Sequence, residues 1–122
     1  MPILDVELVC PPGLLLDDQL ATRIADRAGA VFRAPAGRVW VKVRTLSRSH
    51  YAENGDVLPA DVLPVFVEVL LADVPEECER AGQAVEIANA VAEACGRSAE
   101  HVHVLYAEPA RGRIAFGGKL MT

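Results

Sequence analysis

Two stretches of this sequence open on proline and then run through β-favouring residues: Pro2–Val9, PILDVELV, and Pro64–Leu71, PVFVEVLL, 62 positions further on. Proline is tolerated at the first position of a strand, where its missing N–H leaves no ladder partner unpaired. The valine, isoleucine and leucine behind it predict a strand in each case. Each strand is followed by a polar turn and a helical pattern, so the chain reads as one unit written twice. Helix one is predicted from near Asp17 to about Phe32, with Leu20, Ile24, Val31 and Phe32 on one stripe. Helix two lies within DVPEECERAGQAVEIANAVAEACG, residues 73–96. There Asp73 and Glu76 have capping-box spacing, Pro75 falls in the first turn, and Gly96 suits the C-terminal stop. Cys78, Ala81, Val85, Ala88, Ala92 and Cys95 recur at three- and four-residue steps, which predicts a narrow buried face of small side chains.

After each helix comes a strictly alternating strand, RVWVKVRT (38–45) and HVHVLYA (101–107). Val39, Val41 and Val43 face one way, and Trp40, Lys42 and Arg44 the other. Val102, Val104 and Tyr106 likewise oppose His103, Leu105 and Ala107. Each half is then a βαβ unit with parallel strands and a right-handed crossover. The predicted fold class is α+β: a single domain over 1–122, with repeats at 2–58 and 64–120, forming a four-stranded mixed sheet with two helices on one face. The intervening SRSHYAENGDVLPADVLP (47–64) reads as a hairpin or bulged turn and a short linker, and ARGRIAFGGKL (110–120) as a strand pair with glycine turns. The valine sides meet the helices. The other face keeps Trp40, Leu4 or Ile3, Phe66 and Leu105 among charges, a surface that favours oligomerisation.

Composition bounds the function. With 122 residues, 52% hydrophobic and 24% charged, the chain folds as one globular domain. No apolar run approaches the roughly 20 residues of a membrane span. MPILDVELVC carries two acids and no basic region, unlike a secretory signal, so a cytoplasmic protein is expected. A net charge of −5 argues against nucleic acid as partner. A small anion remains compatible, because it needs only two or three placed cations. The three cysteines have no CxxC spacing and read as buried reduced thiols. Cys78 and Cys95 lie about 25 Å apart along one helix and cannot pair within it. His101 and His103 form an HxH, without a clear third and fourth metal ligand. Gly117-Gly118 is a hairpin turn rather than a phosphate loop, since no helix follows it.

Read together, HVHVLYAEPARGRIAFGGKL, with Glu108, Arg111-Gly112 and Gly117-Gly118, resembles the second strand and C-terminal hairpin of 4-oxalocrotonate tautomerase. VWVKVRTLSRSHYAENG resembles the same segment in the first half, with Tyr51 at the aromatic hairpin position. With Pro2 and Pro64 heading their strands, the chain resembles a fused member of the tautomerase superfamily over nearly its whole length. That group also contains macrophage migration inhibitory factor, malonate semialdehyde decarboxylase and the chloroacrylic acid dehalogenases. The resemblance implies a homotrimer in which three sheets form a barrel with helices outside, and an amino-terminal proline in a pocket near subunit boundaries.

It further implies a cofactor-independent keto–enol tautomerase or isomerase of a small 2-oxo or enol acid, with Pro2 as the base. Removal of Met1 turns the Pro2 nitrogen from an amide into a secondary amine, and burial lowers that amine's pKa towards neutrality, where a general base works best. Pro64 stays an internal amide and is structural. Trp40 and His103 stand where the tautomerase carries its second-strand arginine. Cys10-Pro11-Pro12 replaces an arginine near the end of the first strand, and Glu68 to Ala72 lacks the arginine pair of the decarboxylases and cis-dehalogenases. These departures weigh against decarboxylation, dehalogenation and dicarboxylate specificity. Candidate substrate-binding residues are Arg33, near the lysine position of the inhibitory-factor branch, with Trp40, Arg44, Tyr51 and His103. Solvated, interface or hairpin-packing roles are the alternatives for these. Tyr106, on the valine side, reads as core. The competing functions are a non-catalytic ferredoxin-like binding or assembly module, since that fold shares the βαββαβ order, or, as the resemblance allows, a tautomerase-superfamily hydratase, dehalogenase or decarboxylase.

Overall fold

The structure, a computed structural model, describes residues 2–122. Its elements in chain order are β1 Ile3–Cys10, α1 Leu20–Phe32, β2 Trp40–Ser47, β3 Val65–Leu70, α2 Glu77–Cys95, β4 Val102–Tyr106, β5 Ala115–Phe116 and β6 Lys119–Leu120. The main sheet has the order β2-β1-β3-β4. β1 pairs with β2, and β3 with β4, in parallel, while β1 and β3 run antiparallel. This is the expected mixed sheet of two βαβ units.

Each strand-heading proline contributes through its carbonyl. Pro2 O accepts from the Trp40 N–H at 3.0 Å, and Pro64 O accepts from the Val9 N–H at 3.0 Å. Because β1 and β3 are antiparallel, Ile3 lies opposite Leu70 and Leu8 opposite Val65, so the two prolines sit at opposite ends of the sheet. Near Pro64 that end is closed by Arg97. Its guanidinium donates to Val9 O at 3.1 Å and Leu63 O at 2.7 Å, and lies 3.5 Å from the buried Cys10 Sγ.

Alternation turns Leu4, Val6 and Leu8 of β1 and Val65, Val67 and Val69 of β3 towards the helices, all essentially inaccessible to solvent. They meet Leu20, Ile24 and Ala28 of α1 and Ile87 and Val91 of α2. Val41, Val43, Val104 and Tyr106 pack around this core, and the Tyr106 hydroxyl donates to Gln83 Oε1 of α2 at 2.6 Å. The opposite face is uncovered. Register arranges it in rows: Trp40 beside Ile3, then Lys42, Asp5, Glu68 and Leu105, then Arg44, Glu7, Phe66 and His103.

Four local expectations are corrected. Helix α2 begins at Glu77, with Glu76 as a cap that makes no side-chain bond. Asp73 instead accepts from Arg111 Nε at 3.0 Å, and Val74, preceding Pro75, is disfavoured from helical geometry. The buried face of α2 is turned towards Ile87, Val91, Ala92 and Ala94, leaving Val85 60% exposed and Cys78 at the surface. The larger apolar area of Ile87 and Val91 outweighs the regular spacing of small residues. No hairpin forms after β2. A 3₁₀ turn, Arg48–His50, follows, the expected turn at Asn54-Gly55 is closed by the Asp56 N–H on Glu53 O at 3.2 Å, and Arg48 donates to the carbonyls of Pro59 and Ala60 and to that of Val62 at 3.4 Å, which holds the linker. His101 lies in a second 3₁₀ turn, Ala99–His101, rather than on β4 with His103.

Candidate active-site cleft

The cleft is assembled at the Pro2 end of the sheet from three pieces of chain. Pro2 is buried at the head of β1. The second piece is the loop that reverses the chain between α1 and β2. Arg33 ends the helix in a left-handed conformation, φ 51°, with its N–H on Ala30 O at 3.3 Å, and the Ala34 N–H reaches Gly29 O at 2.9 Å. A tight turn follows, closed by the Arg38 N–H on Pro35 O at 3.2 Å. Gly37, φ 80°, offers its carbonyl to the Trp40 indole N–H at 3.1 Å, which folds the indole back over the turn.

The third piece is the C-terminal hairpin. Gly117 and Gly118 have φ 58° and 86°, the double positive φ that a type I′ hairpin turn requires. The hairpin is tied down by the Gly112 N–H on Met121 O at 2.7 Å and the Met121 N–H on Ile114 O at 2.9 Å. Phe116 then meets Trp40 edge to face, ring centres 5.3 Å apart at 88°. Pro2, Ile3, Gly37, Arg38, Trp40 and Phe116 together line a cleft of about 270 Å³, suited to a small ligand.

Arg38 is the one cation lining this cleft, and its guanidinium has no acidic partner among the described residues. The cations of the open face are already engaged. Lys42 Nζ lies 3.2 Å from Asp5, and Arg44 lies 3.1 Å from Glu7 and 3.6 Å from Asp5. An unpaired guanidinium beside a buried proline and two aromatic walls can bind a carboxylate while an apolar group lies on the rings.

Of the residues singled out in the sequence, Pro2 and Trp40 come together here, and Arg33, Arg44, Tyr51 and His103 do not line this cleft. Arg33 is exposed at the C-terminus of α1. Arg44 stands four residues along β2 from Trp40, about 13 Å at strand rise. Tyr51 and His103 flank Phe66 on the open face, with ring centres 5.8 and 5.4 Å from it. The Tyr51 hydroxyl donates to Glu53 Oε2 at 2.7 Å, and that bond, with lesser help from burial and the carboxylate charge, raises the phenol pKa. Among the described residues no three His, Cys, Asp or Glu side chains converge as a metal site, and no helix is long and apolar enough to cross a membrane.

Sequence reasoning missed Arg38 and Phe116. Arg38 carried a signal, since period-two alternation through Arg38, Trp40, Lys42 and Arg44 puts it on the tryptophan's side. Phe116 carried none, because nothing local tells which strand a terminal hairpin folds onto.

No family model matches the sequence, and no significant match is found among curated proteins. Solved structures do match. The chain is similar to the Q0 fused 4-OT wild type symmetric trimer, with TM-score 0.75 and 17% identity over 98% of this chain and 94% of that one. It is similar to a macrophage migration inhibitory factor from Oncomelania hupensis, with TM-score 0.72 and 15% identity over 99% and 82%. It is also similar to N1, a member of the cis-3-chloroacrylic acid dehalogenase family, with TM-score 0.73 and 20% identity over 97% and 83%. The chain therefore has the fold of the tautomerase superfamily, as its sequence resemblance implied.

Proposed function

We propose that this protein, once Met1 is removed, is a cofactor-independent keto–enol tautomerase of a small 2-oxo or enol acid, with the Pro2 amine as general base. Met1 itself lies outside the described residues. The observation that carries the reading is a buried proline sharing a cleft with an unpaired arginine. Ketonisation moves a proton between an enol oxygen and the carbon alpha to the resulting carbonyl. A base must release and recapture that proton near neutral pH, and burial among Ile3, Trp40 and Phe116 disfavours the charged amine and so lowers its pKa. Arg38 holds the carboxylate and offsets charge that develops on the oxygen.

The reading includes a homotrimer. The half-apolar open face, with Phe66 and Leu105 exposed, supports burial by other copies, and one of the similar structures is itself a trimer. In that assembly Arg33, Arg44, Tyr51 and His103 contribute to the site from neighbouring subunits. The uncovered face equally supports a second reading, an assembly module without chemistry.

Intact-mass measurement of the native chain, paired with ketonisation of phenylenolpyruvate and 2-hydroxymuconate, separates the two. The expected result is a chain beginning at Pro2 that ketonises at least one of these enols, and a Pro2→Ala variant slower by about 10²- to 10⁴-fold. Equal rates for the two proteins overturn the proposal.

A further inference from the structure

We infer that residues 112–122 form a flap over the cleft, and that Arg111 and Asp73 are positioning residues that hold Phe116 of this flap against Trp40. The kinetic part of the inference rests on the proposed function, and the spectroscopic part stands without it.

As far as residue 111 the chain leaving β4 is fastened by its backbone to the end of β3. The Ala107 N–H donates to Val69 O at 2.9 Å, the Ala110 N–H to Leu71 O at 2.8 Å and the Arg111 N–H to Ala72 O at 3.2 Å. Beyond that point the backbone bonds turn inward. The Gly112 N–H reaches Met121 O, the Met121 N–H reaches Ile114 O, and the Arg113 and Ile114 N–H groups return to Ala110 O. β5 pairs with β6 in a sheet of its own. A lone two-stranded hairpin is marginally stable in water, so its seat on the cleft depends on side chains.

One such contact is Phe116 edge to face on Trp40. The other is a latch at the base of the hairpin. Arg111 Nε donates to the two Asp73 carboxylate oxygens at 3.0 and 3.2 Å, Nη2 donates to the same carboxylate, and Nη1 donates to Thr122 O at 3.0 Å. A single guanidinium thus ties the β3–α2 connection to both ends of the hairpin, and its fork fixes direction as well as attraction. The bond from Arg111 holds the Asp73 carboxyl below its ordinary pKa, so the pair is charged at neutral pH. Both side chains are half-exposed or more, at 50% and 68%, so the pair adds little to global folding. Its loss therefore loosens the flap and leaves the fold in place.

Trp40 is the chain's single tryptophan, and its emission reports whether Phe116 is seated. The experiment measures acrylamide quenching of that emission in wild type, Arg111→Gln, Asp73→Asn, Arg111→Lys, Phe116→Ala and the Arg111→Gln/Phe116→Ala double variant. Circular dichroism verifies each fold, and sedimentation verifies that each has the wild-type mass. Phe116→Ala is expected to raise quenching, and Arg111→Gln and Asp73→Asn to raise it by at least half as much. Arg111→Lys, which keeps the charge and loses the fork, is expected to restore part of the difference. The double variant is expected to match Phe116→Ala, because the latch acts through that ring. In ketonisation of phenylenolpyruvate, Arg111→Gln is expected to raise KM by about two- to fivefold with kcat within about twofold, since a cleft closed in fewer molecules binds more weakly. Wild-type quenching in both Arg111→Gln and Asp73→Asn, or a double variant quenched well beyond Phe116→Ala, overturns the inference. The expected quenching pattern alongside undiminished Pro2→Ala ketonisation overturns the proline base and leaves the flap standing.

Discussion

Tyr51 shows how a single hydrogen bond sets a titration. Its hydroxyl donates to Glu53, and the carboxylate holds the phenol above its ordinary pKa of 10.0. A group whose folded pKa is raised contributes stability that is complete below its unfolded pKa and lost as pH rises through the folded one. Burial raises Tyr106 in the same direction. The tyrosinate absorbance of the chain's two tyrosines is therefore expected to titrate at higher pH than that of free tyrosine, and Glu53→Gln is expected to bring one of them back down. An unchanged curve in Glu53→Gln contradicts the assignment. The sequence marked Tyr51 as an aromatic hairpin residue and a candidate for substrate binding, yet its companions Phe66 and His103 come from β3 and β4. Residue type was legible, and long-range pairing was not. Arg38 illustrates the same divide, since alternation gives its side of β2 but not its lack of an acidic partner.

Helices and strands were more legible than their edges. Proline-headed apolar runs and strict alternation carried β1 to β4, because a period of two admits one buried face. Gly96 was legible as a stop for a similar reason. It caps α2 at φ 66°, a conformation that side-chain-bearing residues rarely adopt. The face of α2 was harder, because an alanine-rich helix offers several stripes of similar spacing and bulk decides between them. Ile87 is 1% exposed and Val85 60%. Ile87→Ala is accordingly expected to cost about 2–5 kcal/mol in urea unfolding, and Val85→Ala less than about 0.5 kcal/mol. Comparable losses for both would restore the sequence-derived face. The absent hairpin after β2 was illegible for another reason: the Asn54-Gly55 turn signal is local, whereas the grip of Arg48 on residues 59, 60 and 62 is not.

As a molecule, the protein is a two-layer sandwich missing its third layer. A face that pairs Lys42 and Arg44 with Asp5 and Glu7 while exposing Phe66 and 62% of Leu105 suits contact with other copies. Sedimentation equilibrium is expected to give three times the 13.1 kDa chain mass, and Phe66→Glu, which sets a second acid beside Glu7, is expected to shift it towards the monomer. A wild-type monomer would remove the trimer and leave the fold. The double βαβ plan was legible because each half repeats its own pattern, whereas a cleft drawing on both halves was not. The antiparallel meeting of β1 and β3 has one last consequence. The two strand-heading prolines lie at opposite poles of the sheet, and the nitrogen of Pro64 is an internal amide. The Arg97 guanidinium closes the Pro64 pole while the Pro2 pole is open as a cleft, so twofold pseudosymmetry of the backbone coexists with inequality of its poles.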